Sequence, residues 1–544
     1  MDFDAVLIAP RRAASMATGH WHDRTINDYL ADCVRERPDA PALTAVSLER
    51  GTVARYSWSE LARLADRVAA GLSGLGIGAR DVVSCQLPNG WHLTVLYLAC
   101  ARLGAVLNPL MPIFRERELA FMLAHAECKV VVVPETFRGF AHARMMRGLR
   151  GALPALRHVV VADGEGPDSF EALLTRDAAP VAPARLPHGR AGPDDVTQLI
   201  YTSGTTGEPK GVMHTANTLF SNIVAYAARL RLGADDVVLM ASPMAHQTGF
   251  MYGLMMPVML GAHAVLQDIW DPARAAALIR EQGVTFTMGS TPFLTDLARV
   301  VADSGTPVPS LCTFLCAGAP IPGALVERAR AALGATIVSA WGMSENGAVT
   351  TTLPDDPETR ASTTDGCPLP GVEIRVVDGA DADLPAGQTG RLLVRACSNF
   401  GGYLKRPHLN STDADGWFDT GDLARLDAHG YLRIAGRSKD VIIRGGENIP
   451  VLEVETLLYR HPAVAQVAIV AYPDTRLGER ACAFVVPRPG QSIDMAGMVD
   501  WLRQQKMALQ YIPEKLVLRD ALPATPAGKI QKFRLREMLL GETG

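Results

Sequence analysis

Apolar and polar positions follow two periods along this chain, and each period predicts an element. Over 57–75, "SWSELARLADRVAAGLSGL", Leu61, Leu64, Ala65, Val68, Leu72 and Leu75 recur at helical spacing and give one apolar face. Ser57 and Glu60 stand at capping-box spacing before that stripe and mark where the helix starts. A glycine-rich turn leads to "DVVSCQL", a predicted strand, then to the helical "LTVLYLACARLGAVL" and the short apolar runs "KVVVVP" and "RHVVVAD". This alternation is a βαβ rhythm. An Ala/Pro-rich stretch, 177–193, interrupts it and reads as a surface linker. The rhythm then resumes with "DVVLMASP", "AHAVLQD", "VTFTMGS", "CTFLCAGAP" and "TIVSAWGMSE" as strands, and with "PARAAALIREQG" and "PGALVERARAAL" as helices between them.

Such a pattern predicts mostly parallel sheets flanked by helices, with ligands bound beyond the carboxyl ends of the strands. Polar segments fall at those ends: "TSGTTGEPKG" after "TQLIY", "GAP" after "CTFLC" and "GMSE" after "TIVSAW". After about residue 375 the strands shorten and turn signals multiply, which predicts a β subdomain. From "GRSKDVIIRGGENI" onward the pattern changes again, with "PVLEVETLLYRH" and "DMAGMVDWLRQQK" helical and "VAQVAIVAYP" and "ERACAFVVP" extended. The expected fold is α/β: a large N-terminal domain over 1–436, with its β subdomain, and a small α+β C-terminal domain over 437–544.

Composition narrows the function. With 544 residues, 48% of them apolar, the chain can fill more than one core. A formal net charge of −4, with no basic run interleaved with aromatics, argues against nucleic acid as the main partner. Nine cysteines without ligand spacing read as reduced core residues, and acids in "MDFDAVLIAPRR" do not suit a secretory signal, so a cytoplasmic protein is expected. The most apolar stretch, from Gly249 to Leu266, is broken by Gly253, Pro257, Gly261 and His263. It predicts a buried helix and strand, without integral membrane association.

The candidate chemistry begins in "LIYTSGTTGEPKGVMHT", 199–215. Ser203, Gly204, Thr205, Thr206 and Gly207 are small enough for a ligand to approach their backbone amides closely, and Lys210 adds a cation, so the segment reads as a phosphate cradle. It is not a Walker loop, because Lys210 lies between Pro209 and Gly211. "YTSGTTGEPKGVMHT" resembles the signature loop of the adenylate-forming superfamily of acyl-CoA synthetases, peptide-synthetase adenylation domains and beetle luciferases. "PMAHQTGF", "CAGAP", "WGMSE", "WFDTGD", "GRSKDVIIRGGENI" and "PATPAGKI" follow in that superfamily's order, so the resemblance extends from Tyr56 to Ile530.

The resemblance implies an enzyme that joins a carboxylate to AMP with ATP, releases pyrophosphate and passes the acyl group to a thiol, here coenzyme A. Both reactants of the first step are anions, so cations and amide dipoles are needed where charge develops. By resemblance, Ser203, Gly204, Thr205, Thr206, Gly207 and Lys210 hold the phosphates, and Ser344 contacts the α-phosphate. Glu345 holds Mg2+, and Asp422, helped by Arg437, holds the ribose hydroxyls. Gly318, Ala319, Pro320, Trp341, Gly342 and Met343 line the nucleotide site. Lys529, on a loop of the mobile C-terminal domain, bridges carboxylate and α-phosphate. Gly445, Gly446 and Glu447 pass the pantetheine arm after a rotation hinged at Lys439. His246, Phe250 and Phe293, with Gly318, Gly342 and Met343, line the acyl pocket.

No acidic side chain occurs between Val238 and Gln267, so a neutral organic acid is expected rather than an amino acid. The motif wording is most similar to medium-chain and alicyclic, cyclohexanecarboxylate-type acyl-CoA ligases. The context of Lys529 resembles that in which lysine acetyltransferases modify related ligases. A monomer or homodimer is expected. An acyl-AMP ligase that loads a carrier protein, a non-catalytic acyl-adenylate or ATP-binding protein, and an oxidative luciferase remain as alternatives.

Overall fold

The computed structural model describes residues 1, 3–175, 191–202, 208–318, 321, 323–437, 442–523, 530 and 532–541. Ser203, Gly204, Thr205, Thr206, Gly207, Ala319, Pro320, Lys439, Lys529 and most of the Ala/Pro-rich stretch lie outside the described residues.

Two large sheets carry the N-terminal part. The first has seven strands, in the order Gly402–Tyr403, Lys210–Thr215, Val196–Thr202, Val106–Pro109, Val82–Cys85, Val130–Pro134, His158–Ala162. Its last five strands are parallel and its first two antiparallel. The second has nine strands, with Pro41–Ser47, His263–Gln267, Val237–Met240, Phe286–Gly289, Thr313–Ala317 and Thr336–Met343 forming a parallel centre between antiparallel edges. One apolar core joins the sheets: Val83 and Leu107 from the first and Val238, Ala264 and Phe286 from the second belong to a single cluster.

Between the sheets the helix Trp91–Leu103 is buried on nearly every side, as its apolar composition requires. Its sequence pattern runs on through "AVL", but the helix stops earlier. Gly104 takes φ 68°, caps the last turn, and releases Val106–Pro109 into the sheet. The capped helix Trp58–Gly74 forms as its pattern predicts: Glu60 N donates to Ser57 Oγ (3.3 Å) and Ser57 N donates to Glu60 Oε2 (2.8 Å).

The later short strands form a separate four-stranded antiparallel sheet, Val372–Val377, Gly390–Ala396, Phe418–Leu426 and Leu432–Arg437. Beyond residue 441 a five-stranded sheet follows, centred on the hairpin Val464–Asp474/Gly478–Pro487. The strand Lys515–Leu518 lies parallel to Gly478–Pro487, and the helix Met495–Gln504 lies between them in the chain. This smaller unit packs on the larger one through ion pairs Arg117–Glu453 (3.0 Å) and Arg476–Asp296 (3.6 Å). Among the described residues no helix is long and apolar enough to cross a membrane, and Gly249–Leu266 folds as helical turns and the strand His263–Gln267.

Candidate active site

Strands Val196–Thr202 and Lys210–Thr215 pair antiparallel, with Thr202 opposite Lys210, so Lys210 stands at the start of its strand. There Lys210 Nζ donates to the Tyr403 hydroxyl (2.7 Å) from above the ring, and that hydroxyl donates to Glu345 Oε1 (2.7 Å). A phenol thus links cation and carboxylate. Glu345 is 4% exposed; burial and the adjacent carboxylate push the Tyr403 pKa well up, so the phenol keeps its proton. Tyr403 was not among the sequence candidates. Its only signal is "GGYLKR", where Gly402 takes φ 128° so that Gly402–Tyr403 can pair with Lys210–Thr215.

Several contacts hold Glu345 from behind. Phe400 N donates to its carbonyl (2.7 Å), and His214 Nε2 donates to the neighbouring Ser344 carbonyl (2.7 Å). Burial lowers the His214 pKa to about 4, so the ring is neutral. Arg11, from the helix Ala9–Ala17, donates to the carbonyls of Ala396, Asn399 and Phe400, and so anchors the segment that leads to Tyr403. Gly342 has no room for a side chain, since a Cβ would stand 1.9 Å from the Gly347 carbonyl oxygen. The turn between Thr336–Met343 and Gly347–Thr351 therefore closes tightly and directs Glu345 inward.

Asp422, 4% exposed, accepts from Trp341 Nε1 (3.1 Å), so two predicted nucleotide contacts meet. Arg437 ends the strand Leu432–Arg437 and pairs with Asp422 across the four-stranded sheet. The smaller unit supplies Gly445 and Gly446, the turn between Ile442–Arg444 and Glu447–Ile449, both at positive φ. A Cβ on Gly318 would lie 3.8 Å from Gly446 Cα, and one on Gly446 3.9 Å from Ser290 Cβ. The glycine turn therefore rests on the end of the strand Thr313–Ala317. Burial pushes the Glu447 carboxyl up to about 7.

The acyl-pocket candidates are less united. His246 keeps exposed surface, although the protein around it is dense enough to lower its pKa. Phe250 is fully buried against Tyr97 in the core between the sheets. Phe293 instead lies against Trp270, ring centroids 4.6 Å apart and tilted, in a different cluster, because its helix Thr291–Ser304 packs on the nine-stranded sheet away from Phe250. Met343 packs beneath the four-stranded sheet and beside Phe400 and Tyr403. A buried amide pair also escaped the sequence: Gln198 Nε2 donates to Gln247 Oε1 (2.9 Å), while Gln198 Oε1 and Gln247 Nε2 have no partner among the described residues.

The donor set suits Mg2+. Tyr403 takes one oxygen of Glu345, and the other can serve as the hard ligand this ion prefers beside phosphate oxygens.

An α/β domain that gathers Lys210, Tyr403 and Glu345 in one hydrogen-bonded chain, with Asp422 on its β subdomain and a smaller unit packed on it, has the arrangement expected of nucleotide-dependent acid-activating enzymes. Residues 30–404 match the AMP-binding enzyme family and residues 453–529 match the AMP-binding enzyme C-terminal domain. The chain belongs to the AMP-binding enzyme family and is an ATP-dependent, AMP-forming acid ligase. It is 37% identical over 536 residues to the medium-chain fatty-acid–CoA ligase of Escherichia coli (strain K12), covering 97% of this chain and 93% of that protein. It is 34% identical over 544 residues to a salicylyl-CoA synthase / salicylate adenylyltransferase of Streptomyces sp, covering 98% and 97% respectively. The fold matches that of the amide bond synthetase McbA from Marinactinospora thermotolerans with a TM-score of 0.83 at 24% identity, covering 95% of this chain and 99% of that one.

Proposed function

We propose that the enzyme is a cytoplasmic acyl-CoA synthetase for an apolar medium-chain, alicyclic or aromatic monocarboxylate. The acid's oxygen attacks the α-phosphorus of ATP, pyrophosphate leaves, and the acyl-AMP so formed is attacked at its carbonyl carbon by the CoA thiol, releasing AMP. The observation that carries this reading is the glycine turn of the smaller unit seated against Gly318, beside the Lys210–Tyr403–Glu345 chain. Two adjacent positive-φ glycines give a narrow thiol arm a path along the backbone to the acyl-adenylate. Mg2+ at Glu345 would neutralise phosphate charge. Lys210 and residues 203–207 bind the phosphates, Ser344 the α-phosphate, and Asp422 with Arg437 the ribose. Lys529 orients the carboxylate against phosphorus. A division into 1–436 and 437–544, hinged at Lys439, lets Lys529 and Gly445–Gly446 take turns at one site.

The lack of acids over 238–267 favours a neutral acyl group, in keeping with the medium-chain relative. The unpaired donor and acceptor of Gln247 and Gln198, next to His246 in the chain, favour a second reading: an aromatic acid with a polar ring substituent, in keeping with the salicylate-activating relative. Pyrophosphate release over aliphatic, alicyclic, benzoic and hydroxybenzoic acids, with and without CoA, separates the two. Turnover with none of these acids defeats both readings, and acyl-AMP that accumulates despite CoA defeats the thioester step. Acetylation of Lys529 would remove the charge that adenylation needs. Intact-mass and peptide analysis of cell-derived protein, showing this lysine unmodified on every carbon source, rejects that regulation.

A further inference from the structure

A second crevice opens along the carboxyl edges of the sheets, beside strands on the far side of the seven-stranded sheet from Lys210–Thr215. In the seven-stranded sheet Val82–Cys85 comes first in the chain, Val106–Pro109 adds on one side and Val130–Pro134 on the other. Strand order reverses there, the position at which open α/β sheets form ligand crevices. Leu87, His92, Phe137 and Asp163 line the crevice from this sheet, and Arg50 and Asp268 line it from the other.

His92, in the first turn of the helix Trp91–Leu103, is 8% exposed, and its Nε2 has no hydrogen-bond partner among the described residues. That nitrogen faces two carboxylates, Asp163 Oδ1 at 3.6 Å and Glu171 Oε1 at 3.6 Å. Both distances exceed those of N–H···O hydrogen bonds, about 2.7–3.2 Å. All three donor atoms lie within 4.8 Å of one another. Tetrahedral zinc, with bonds of about 2.0–2.2 Å to imidazole and carboxylate, sets its ligands about 3.3 Å apart. Trp91 stacks on the imidazole (3.6 Å) and the edge of Phe170 meets it (4.9 Å), so the ring is held in place.

We propose that His92, Asp163 and Glu171 form a zinc site, separate from the Mg2+ ligand Glu345, with its fourth position open to the crevice. One imidazole and two carboxylates suit Zn2+ better than Mg2+, which keeps to oxygen. The ion ties three separate segments: the start of the buried helix, the loop after His158–Ala162, and the turn Glu171–Thr175 that packs on the helix Trp58–Gly74. Arg50, whose NH1 lies 3.0 Å from the same Asp163 oxygen, is the competing cation.

The test starts from full-length protein stripped with chelator and dialysed into excess Mg2+, then titrated with Zn2+ by calorimetry, with metal content and melting temperature read in parallel. One Zn2+ per chain and a raised melting temperature are expected. Glu171→Gln and His92→Ala should each weaken binding by more than the about 10- to 100-fold that loss of an outer-shell partner costs. Arg50→Met should bind Zn2+ more tightly than the parent. If His92→Ala does not fold, Glu171→Gln, at an exposed side chain, decides alone. No saturable Zn2+ binding, or stoichiometric Zn2+ retained unchanged in Glu171→Gln, overturns the site and leaves His92 as an imidazole between two acids.

Discussion

Tyr403 joins Lys210 to Glu345 with a single hydroxyl, so its loss strips one hydrogen bond from each of two charged groups at a buried place. A buried polar group left unpaired costs about 1–3 kcal/mol. Tyr403→Phe is therefore expected to slow acyl-adenylate formation by about 10- to 100-fold and to raise the Mg2+ concentration needed, both read by ATP–pyrophosphate exchange. Lys529→Ala, by analogy with removing a preorganised charge-stabilising donor, should cost adenylation about 10²- to 10³-fold. It should still convert supplied acyl-AMP and CoA to thioester, and equal loss of both half-reactions would contradict the alternating-domain reading. Gly446→Val gives the converse: at φ 85° and against Ser290 a branched side chain is strained, so thioester formation should fall while pyrophosphate exchange persists.

At the scale of elements, the N-terminal helix Ala9–Ala17 acts on the site without touching it. Arg11 lends its guanidinium to three carbonyls of the segment that carries Phe400, whose amide in turn holds the Glu345 backbone. Burial lowers the Arg11 pKa to about 10, and its positive charge remains at neutral pH. Arg11→Ala leaves those carbonyls unsatisfied and should lower the melting temperature by several degrees. Arg11→Lys, a point charge without the planar fork, should restore only part of it. Pyrophosphate exchange would fall in step with stability if the helix positions Glu345.

At the scale of the whole molecule, a patch of acids lies between the two units. Glu118 and Arg117 come from the helix Glu116–His125, Glu447 and Glu453 from the smaller unit, with Tyr511 among them. Burial pushes Glu447 and Glu453 each up to about 7, and Arg117 only partly offsets this for Glu453. Burial raises Glu118 as well. Because the packed pKa values lie above the ordinary carboxylate value of 4.5, packing favours the neutral acids. Their contribution is full below 4.5 and is lost as pH rises through about 7. Proteolytic nicking near the unit boundary should therefore quicken over that window. Glu453→Gln should flatten the dependence, and a rate independent of pH would show that these acids do not govern packing.

What the sequence by itself determined was local. Periods of 3.6 and 2 depend on neighbouring residues, so the helix Trp58–Gly74, the strands Val130–Pro134 and His158–Ala162 and the change to short strands after about 375 were all legible. The family was legible as well, because its motifs are short and contiguous. The helix limit at Gly104 misled, where a left-handed glycine outweighed continuous apolar character, and so did the grouping of Phe293 with Phe250, which lie in separate clusters. The tertiary structure decided which residues meet. Lys210 and Tyr403 stand 193 positions apart and Tyr403 and Glu345 58, so no spacing announces them; strand order in the sheet brings them together. The same holds for Trp341 with Asp422, for Gly446 on Gly318, and for His92 between Asp163 and Glu171. Periodicity states which face of an element is buried, whereas the partner across that face depends on sheet topology, a property of the folded chain as a whole.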